Sequence, residues 1–219
     1  MCGRFAFYSP AEAAAALFGV DAVASSEPRY NLAPTQPVPV IRCAEGQERE
    51  FVMLRWGLIP YWAKDPSIGN RLINARAETI AEKPAFRDAY QKRRCIILAD
   101  GFYEWQKEAA GKTPYFISLA SGEPFAFAGL WERWTDRDTG ELLQTTTIVT
   151  TAANDFIARL HDRMPVILQP DTATAWLARD PNLLDAVRAD LPELQAWPVD
   201  RKVNNARNEE ADLVQSTLR

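Results

Sequence analysis

The sequence is poor in the residues that build metal centres and disulfide frameworks. It has one histidine, His161, and three cysteines, Cys2, Cys43 and Cys95. A zinc site draws on clustered Cys and His, usually starting from a short Cys-x-x-Cys pair, and no such pair occurs here. An odd number of scattered cysteines does not make a disulfide scaffold, so the expectation is reduced thiols, no metal and a cytoplasmic setting. No apolar run approaches the roughly 18 residues of a membrane helix. The start, Met1-Cys2-Gly3-Arg4-Phe5, lacks the basic-then-apolar form of a signal peptide. Positive charge is not in excess either: 25 Lys and Arg stand against 29 Asp and Glu, a formal net charge of −4. That excludes a protein basic over its whole surface, but not one with a local basic groove for nucleic acid.

What is present is an ordinary globular composition, 219 residues of which 47% are apolar. That is enough for one sizeable core. Runs rich in Ile, Val, Phe, Tyr and Thr predict strands at 48–56, 95–100, 113–119, 125–131, 145–151 and 164–168. A helix is expected over 9–18, with Ser9 as N-cap, Pro10 at the first position, Glu12 closing a capping box and Gly19 as the stop. Shorter helices are expected near 84–92 and 154–160, the latter capped by Asn154, then at 170–178 and 182–189. Four prolines within 28–39 predict an ordered loop or edge segment. Strands do not alternate regularly with long helices. The reading is therefore α+β, one domain over 1–219, built on a mainly antiparallel sheet or barrel.

Cys2 is the most unusual residue. Small residues at position two generally permit loss of the initiator methionine. Cys2 would then carry a thiol and an α-amine on adjacent carbons, with reference pKa values of about 8.5 and about 7.7–8.0. Such a pair condenses with an aldehyde to an imine, and the thiol then closes a five-membered thiazolidine. The plain alternative is a start codon followed by an incidental small residue. Gly101-Phe102-Tyr103-Glu104-Trp105 follows a strand-like run. If the strand continues, Ile96, Leu98, Phe102 and Glu104 share a face, and a carboxylate among apolar groups has a raised pKa suited to proton transfer. Gly101 could instead bulge the strand and turn Glu104 outward. His161 ends a helical pattern at an element junction, where catalytic groups and structural histidines both occur. Asp162 and Arg163 beside it could orient an imidazole and hold a phosphate. In Ile73-Asn74-Ala75-Arg76-Ala77-Glu78-Thr79, an extended backbone would point Asn74 and Arg76 the same way; a helix start with solvated charges is the alternative. Arg55-Trp56-Gly57-Leu58-Ile59-Pro60-Tyr61-Trp62 interleaves rings with a cation, which suits stacked single-stranded bases but also an ordinary packed turn.

Taken together, these segments resemble the SRAP family, the SOS response-associated peptidase or abasic-site-processing proteins. The matching motifs run along nearly the whole chain: residues 1–5, Tyr30-Asn31-Leu32-Ala33-Pro34, 56–60, 73–79, 101–105, 161–165 and Val203-Asn204-Asn205. The resemblance implies a compact, strongly bent antiparallel sheet or barrel with peripheral helices. It implies that Cys2, freed of Met1, crosslinks to abasic sites in single-stranded DNA through a thiazolidine, by imine chemistry of the lyase type and without a cofactor. It gives Asn74, Glu104 and His161 catalytic roles: orienting amide, acid/base, and sugar opening or crosslink reversal. Arg4, Arg76 and Arg163 match contacts to DNA phosphates, Trp62 an aromatic stacked beside the lesion, and Pro34 a wedge. Asn31 and Thr150 match pocket-lining positions. A monomer is expected, associated with the nucleoid when bound to DNA and with no membrane attachment. Two other functions fit the same residues: a cysteine peptidase or autoprotease using Cys2, and a non-covalent single-strand binding module.

Overall fold

β-branched and aromatic side chains fit a pleated, half-buried surface, and strands dominate the computed structural model. It describes residues 2–21, 26–43, 48–109, 111–181, 183, 184, 187 and 191–218. The first strands are β1 (Phe5–Phe7), β2 (Arg29–Leu32), β3 (Pro37–Cys43), β4 (Arg49–Trp56) and β5 (Asn74–Arg76). The middle of the chain forms β6 (Arg94–Ala99), β7 (Gly101–Glu108), β8 (Gly111–Leu119), β9 (Phe125–Thr135) and β10 (Leu142–Ala152). Shorter β11 (Arg163–Pro165), β12 (Ile167–Leu168) and β13 (Leu194–Pro198) follow. The helices are short: α1 (Ala11–Leu17), α2 (Arg87–Lys92), α3 (Asp155–Ala158) and α4 (Pro170–Leu177). This is the α+β architecture expected.

Five strands form one sheet in the order β13-β8-β7-β1-β2. In the larger sheet β10 pairs antiparallel with β9 and parallel with β4, so β4, β3, β6, β9 and β10 close into a ring. The five-stranded sheet lays one face on that ring. Phe5 meets Trp56 at 5.3 Å and Phe127 at 5.5 Å, and Phe102 meets Phe127 at 6.1 Å, all edge-to-face. Such pairs are worth about 0.5–1.5 kcal/mol each beyond their burial. The sheet's opposite face carries Ala6, Tyr103 and Phe116, covered by Val199, Val203 and Leu213 of the C-terminal segment.

Four expectations are corrected. The proline-rich stretch 28–39 is neither loop nor edge throughout, because it supplies β2 and the start of β3, and β3 lies between β4 and β6. Pro37 and Pro39 share one parity, so their missing N–H groups fall on the same side. Pairing to β6 covers only Val40, Ile41 and Arg42, which leaves that side open at the two prolines. Ser9 does not cap α1; Pro10 occupies that position, and the Ser9 hydroxyl donates to Asp100 Oδ1 instead. The run 164–168 is two strands, because the chain changes partner at Val166 from β10 to β9. Strand β13 was not anticipated. Asn154 caps α3 as expected, accepting from Ile157 N–H at 2.9 Å. Most of the helix expected at 182–189 lies outside the described residues.

Gly101 does not bulge its strand: β7 and β8 pair without interruption from Phe102 opposite Ile117 to Glu108 opposite Gly111. Its glycine is required by close approach. A Cβ there would lie 2.2 Å from Phe116 Cζ and 2.7 Å from the Ile117 carbonyl oxygen. Gly101→Ala is expected to destabilise the fold by about 1–3 kcal/mol through overpacking. At about 2–4 °C per kcal/mol, thermal unfolding reads this directly, and an unchanged Tm would show that the strand yields at no expense.

Candidate active site

The chain leaves the large sheet at Ala99, turns at Asp100 and enters the small one at Gly101. Asp100 locks the turn by accepting from the Tyr8 and Ser9 N–H groups at 2.6 and 2.8 Å. β7 pairs with β1 through Phe5–Phe102 and Ala6–Gly101, and Tyr103 N–H donates to Arg4 O at 3.0 Å. Continuing that register puts Gly3 opposite Glu104, next to Cys2. Alternation puts Glu104 on the inward face with Phe102, where it is 3% exposed. Burial raises its pKa above the usual carboxylate range, and the His161 imidazole works partly against that rise.

Cys2 is 0% exposed and packs in the main core. Burial and the adjacent Glu104 charge push its thiol pKa up. Asn74 reaches it from β5: its Nδ2 donates to the Cys2 carbonyl at 2.8 Å. The other end of that amide, Oδ1, is buried with no hydrogen-bond partner among the described residues. A buried acceptor left open in this way fits a donor supplied by a ligand. β5 is held by β10, with Ile148–Asn74, Val149–Ala75 and Thr150–Arg76 in register.

His161 follows α3 and precedes β11. Its Nδ1 is 3.0 Å from the Arg163 N–H and 2.8 Å from Asp162 Oδ1. One nitrogen cannot accept and donate at once. Neutral, it accepts from Arg163 and carries its proton on Nε2; protonated at Nδ1, it turns to Asp162. Residues far apart in sequence are thus neighbours: Asn74 is bonded to the Cys2 backbone, Glu104 lies beside the Cys2 thiol, and His161 is near enough to act on the charge of Glu104.

The other expected site residues divide into two groups. Arg76 is exposed and no described ion pair or side-chain hydrogen bond holds it; Trp62 is 42% exposed beside Tyr61 at 59%. Pro34 is half-buried in a turn whose next residue, Thr35, has φ +75°. A β-branched residue in that region is strained, and such strain concentrates at functional sites. The remaining four face inward. Arg4 Nη1 donates to Asn31 Oδ1 and to Val203 O, both at 2.7 Å, and burial lowers its pKa. Asn31 is fully buried and its Nδ2 lies 3.3, 3.0 and 2.8 Å from the carbonyls of Val203, Asn205 and Asn208. The Val203-Asn204-Asn205 motif is therefore a strap across β1, β2 and β7, tightened by Trp105 Nε1 donating to Asn204 Oδ1. Thr150 is fully buried in β10. Arg163 is gripped by Glu78 through two bonds of 2.8 and 2.9 Å. Glu78 was missed as a site residue, although it sits inside the 73–79 motif. Among the described residues no cluster of His, Cys, Asp and Glu could hold a metal, and no helix is long and apolar enough to cross a membrane.

A buried residue-two cysteine, ringed by an amide, a desolvated carboxylate and an imidazole on a bent two-sheet frame, defines a recognisable class. The family model described as SOS response associated peptidase (SRAP) matches residues 1–206, and the chain belongs to that family. It is 44% identical over 223 residues to the abasic site processing protein YoaM of Bacillus subtilis (strain 168), covering 98% of this chain and 97% of that one. It is 34% identical over 227 residues to the abasic site processing protein YedK of Escherichia coli (strain K12), covering 98% and 99%. A crystal structure of a protein from Bacteroides thetaiotaomicron is similar with a TM-score of 0.87 at 28% identity, covering 99% of this chain and 100% of that chain.

Proposed function

We propose that the chain processes abasic sites in single-stranded DNA by becoming covalently joined to them through Cys2. The observation that carries the reading is the convergence of Asn74 and Glu104 on a cysteine that becomes the amino terminus once Met1 is removed. Removal places an α-ammonium on the carbon next to the thiol-bearing one. That charge opposes the desolvation that otherwise holds the thiol protonated.

The steps balance without a cofactor. Ring opening breaks C1′–O4′ of the hemiacetal; one proton leaves O1′ and one arrives at O4′. Glu104, whose proton is held more tightly than usual, can deliver one, with His161 as the second carrier. The Cys2 amine adds to the aldehyde and water leaves, giving an imine. The thiol then adds across C=N: a C–S bond forms, the thiol proton goes to nitrogen, and the ring closes. Asn74 orients the backbone that carries both nucleophiles, and its open Oδ1 suits a hydroxyl of the opened sugar. Holding the partners in place is worth effective molarities of about 10⁵ M or more.

Arg76, Trp62 and Pro34 supply the outward surface for the strand: a cation for phosphate, a ring for stacking and a rigid turn beside the lesion. Arg76→Ala is expected to weaken binding across sequences and lower the slope of log K against log salt by about one unit. A salt titration with an undamaged oligonucleotide measures it, and an unchanged slope would make Arg76 a structural residue. The test of the function itself is denaturing electrophoresis after mixing with a single strand bearing one abasic site. A slower, denaturation-resistant band is expected, and none with an undamaged strand; release of all DNA on denaturation would leave only a non-covalent binding module.

A further inference from the structure

We infer that Glu78 is a positioning residue of this reaction, acting through Arg163 to fix the spacing between Asn74 and His161. The inference rests on the crosslinking reading above and deepens it. Asn74 opens β5 and Glu78 lies in the turn that leaves it, whereas His161 and Arg163 flank the entry to β11. Both short strands hang on the same residue of β10: Thr150 pairs with Arg76 in β5 and with Pro165 in β11. Each strand is only three residues long and meets β10 at three paired positions.

Side chains tie the two strands to each other as well. Arg163 Nη1 and Nη2 donate to the two Glu78 carboxylate oxygens at 2.8 and 2.9 Å, a fork-to-fork pair. Arg163 Nη2 also donates to the Thr150 carbonyl at 2.9 Å, and the same oxygen accepts from Ala77 N–H at 2.8 Å. Both lone pairs of one β10 carbonyl are thus used, one by the β5 side and one by the β11 side. The Arg163 side chain is 13% exposed and that of Glu78 39%, so the arginine is withdrawn from solvent while the carboxylate stays at the surface, and the hold comes from the two-bond geometry rather than from burial. Its backbone N–H is the group that fixes His161 Nδ1 at 3.0 Å. The chain of contacts runs from Asn74 along β5 to Glu78, across to Arg163, and back to the imidazole. Glu78 touches no reacting atom in this arrangement; it sets where two groups that do are held.

Single-turnover crosslinking with an abasic single strand separates this role from others. Glu78→Gln keeps the size of the side chain and removes the charge and one acceptor. It is expected to lower the maximal crosslinking rate about tenfold or more, because small misplacements near the chemistry are costly. The DNA concentration giving half that rate, and the affinity and salt slope for undamaged DNA, should stay as in wild type. Glu78→Asp keeps the charge and should recover a substantial part of the rate. A Glu78→Gln rate equal to wild type overturns the inference. Tighter DNA binding with a steeper salt slope also overturns it, by making Glu78 a competitor of phosphate for Arg163. So does a loss of undamaged-DNA binding in Glu78→Gln that Glu78→Asp shares, which would make the pair purely architectural. Wild type run alongside keeps the two readings apart: no crosslink there sinks the function, whereas a crosslink there with an unaffected variant sinks only the role of Glu78.

Discussion

Cys2→Ser is expected to abolish the denaturation-resistant complex while leaving affinity for undamaged single-stranded DNA near wild type. The substitution keeps the α-amine, so an imine can still form, but the hydroxyl is a far weaker nucleophile and its five-membered ring closes less stably. The imine then reverts, or breaks the strand by β-elimination. Strand scission rising as crosslink falls is the specific signature of losing the trap and keeping the amine. Blocking the amine while leaving the thiol should likewise end crosslinking. A peptidase nucleophile would need the thiol alone, and burial together with Glu104 holds that thiol above its ordinary range. Equal yields from Cys2→Ser and wild type would remove sulfur from the chemistry.

Glu104→Gln carries the second large effect. Loss of one positioned acid/base is worth about 10²–10⁴-fold in rate. The amide keeps the shape and the polar contacts of the side chain, so DNA affinity should change little. Its stability effect has a definite sign. The folded-state pKa of Glu104 is raised, mainly by burial. The contribution of this group to stability is therefore full below the unfolded carboxylate pKa of about 4.3 and is lost as pH rises through the folded value. Glutamine does not ionise, so the variant should unfold at a higher temperature than wild type at pH 8 and show no such advantage at pH 4. Thermal unfolding at the two pH values checks this, and a variant less stable at pH 8 would mean that the carboxylate is paired well enough to offset its desolvation. A crosslinking rate like wild type would take Glu104 out of proton transfer.

The parts of this site that could be read from sequence were those governed by short-range periodicity. Alternation along 101–105 put Glu104 on the apolar face, and the structure leaves it 3% exposed. Asn154 and its helix were legible because a cap acts within four residues. Motif order identified the family, since matches spread over seven segments do not arise by chance. Long-range relations were not legible. The prolines at 37 and 39 read as a loop because their parity against β6 becomes meaningful only once β6 is in place. Ser9 looked like a cap until Asp100, distant in sequence, offered its hydroxyl a stronger acceptor. Arg4, Asn31 and Arg163 carry no local sign that their partners are Val203 and Glu78 rather than solvent or phosphate. Ion pairs between distant segments leave no period and no spacing, so Glu78 emerged only when the strands were assembled around Thr150.

The central claim is that one sulfur and one terminal nitrogen of Cys2 are both consumed. Intact mass of the purified covalent complex, after denaturation and exhaustive thiol alkylation, tests it most directly. The chain has three cysteines. The account predicts a mass equal to the chain without Met1 plus the oligonucleotide less one water, with alkyl groups on Cys43 and Cys95 alone. A complex that retains Met1, or one that takes up a third alkyl group, would contradict it.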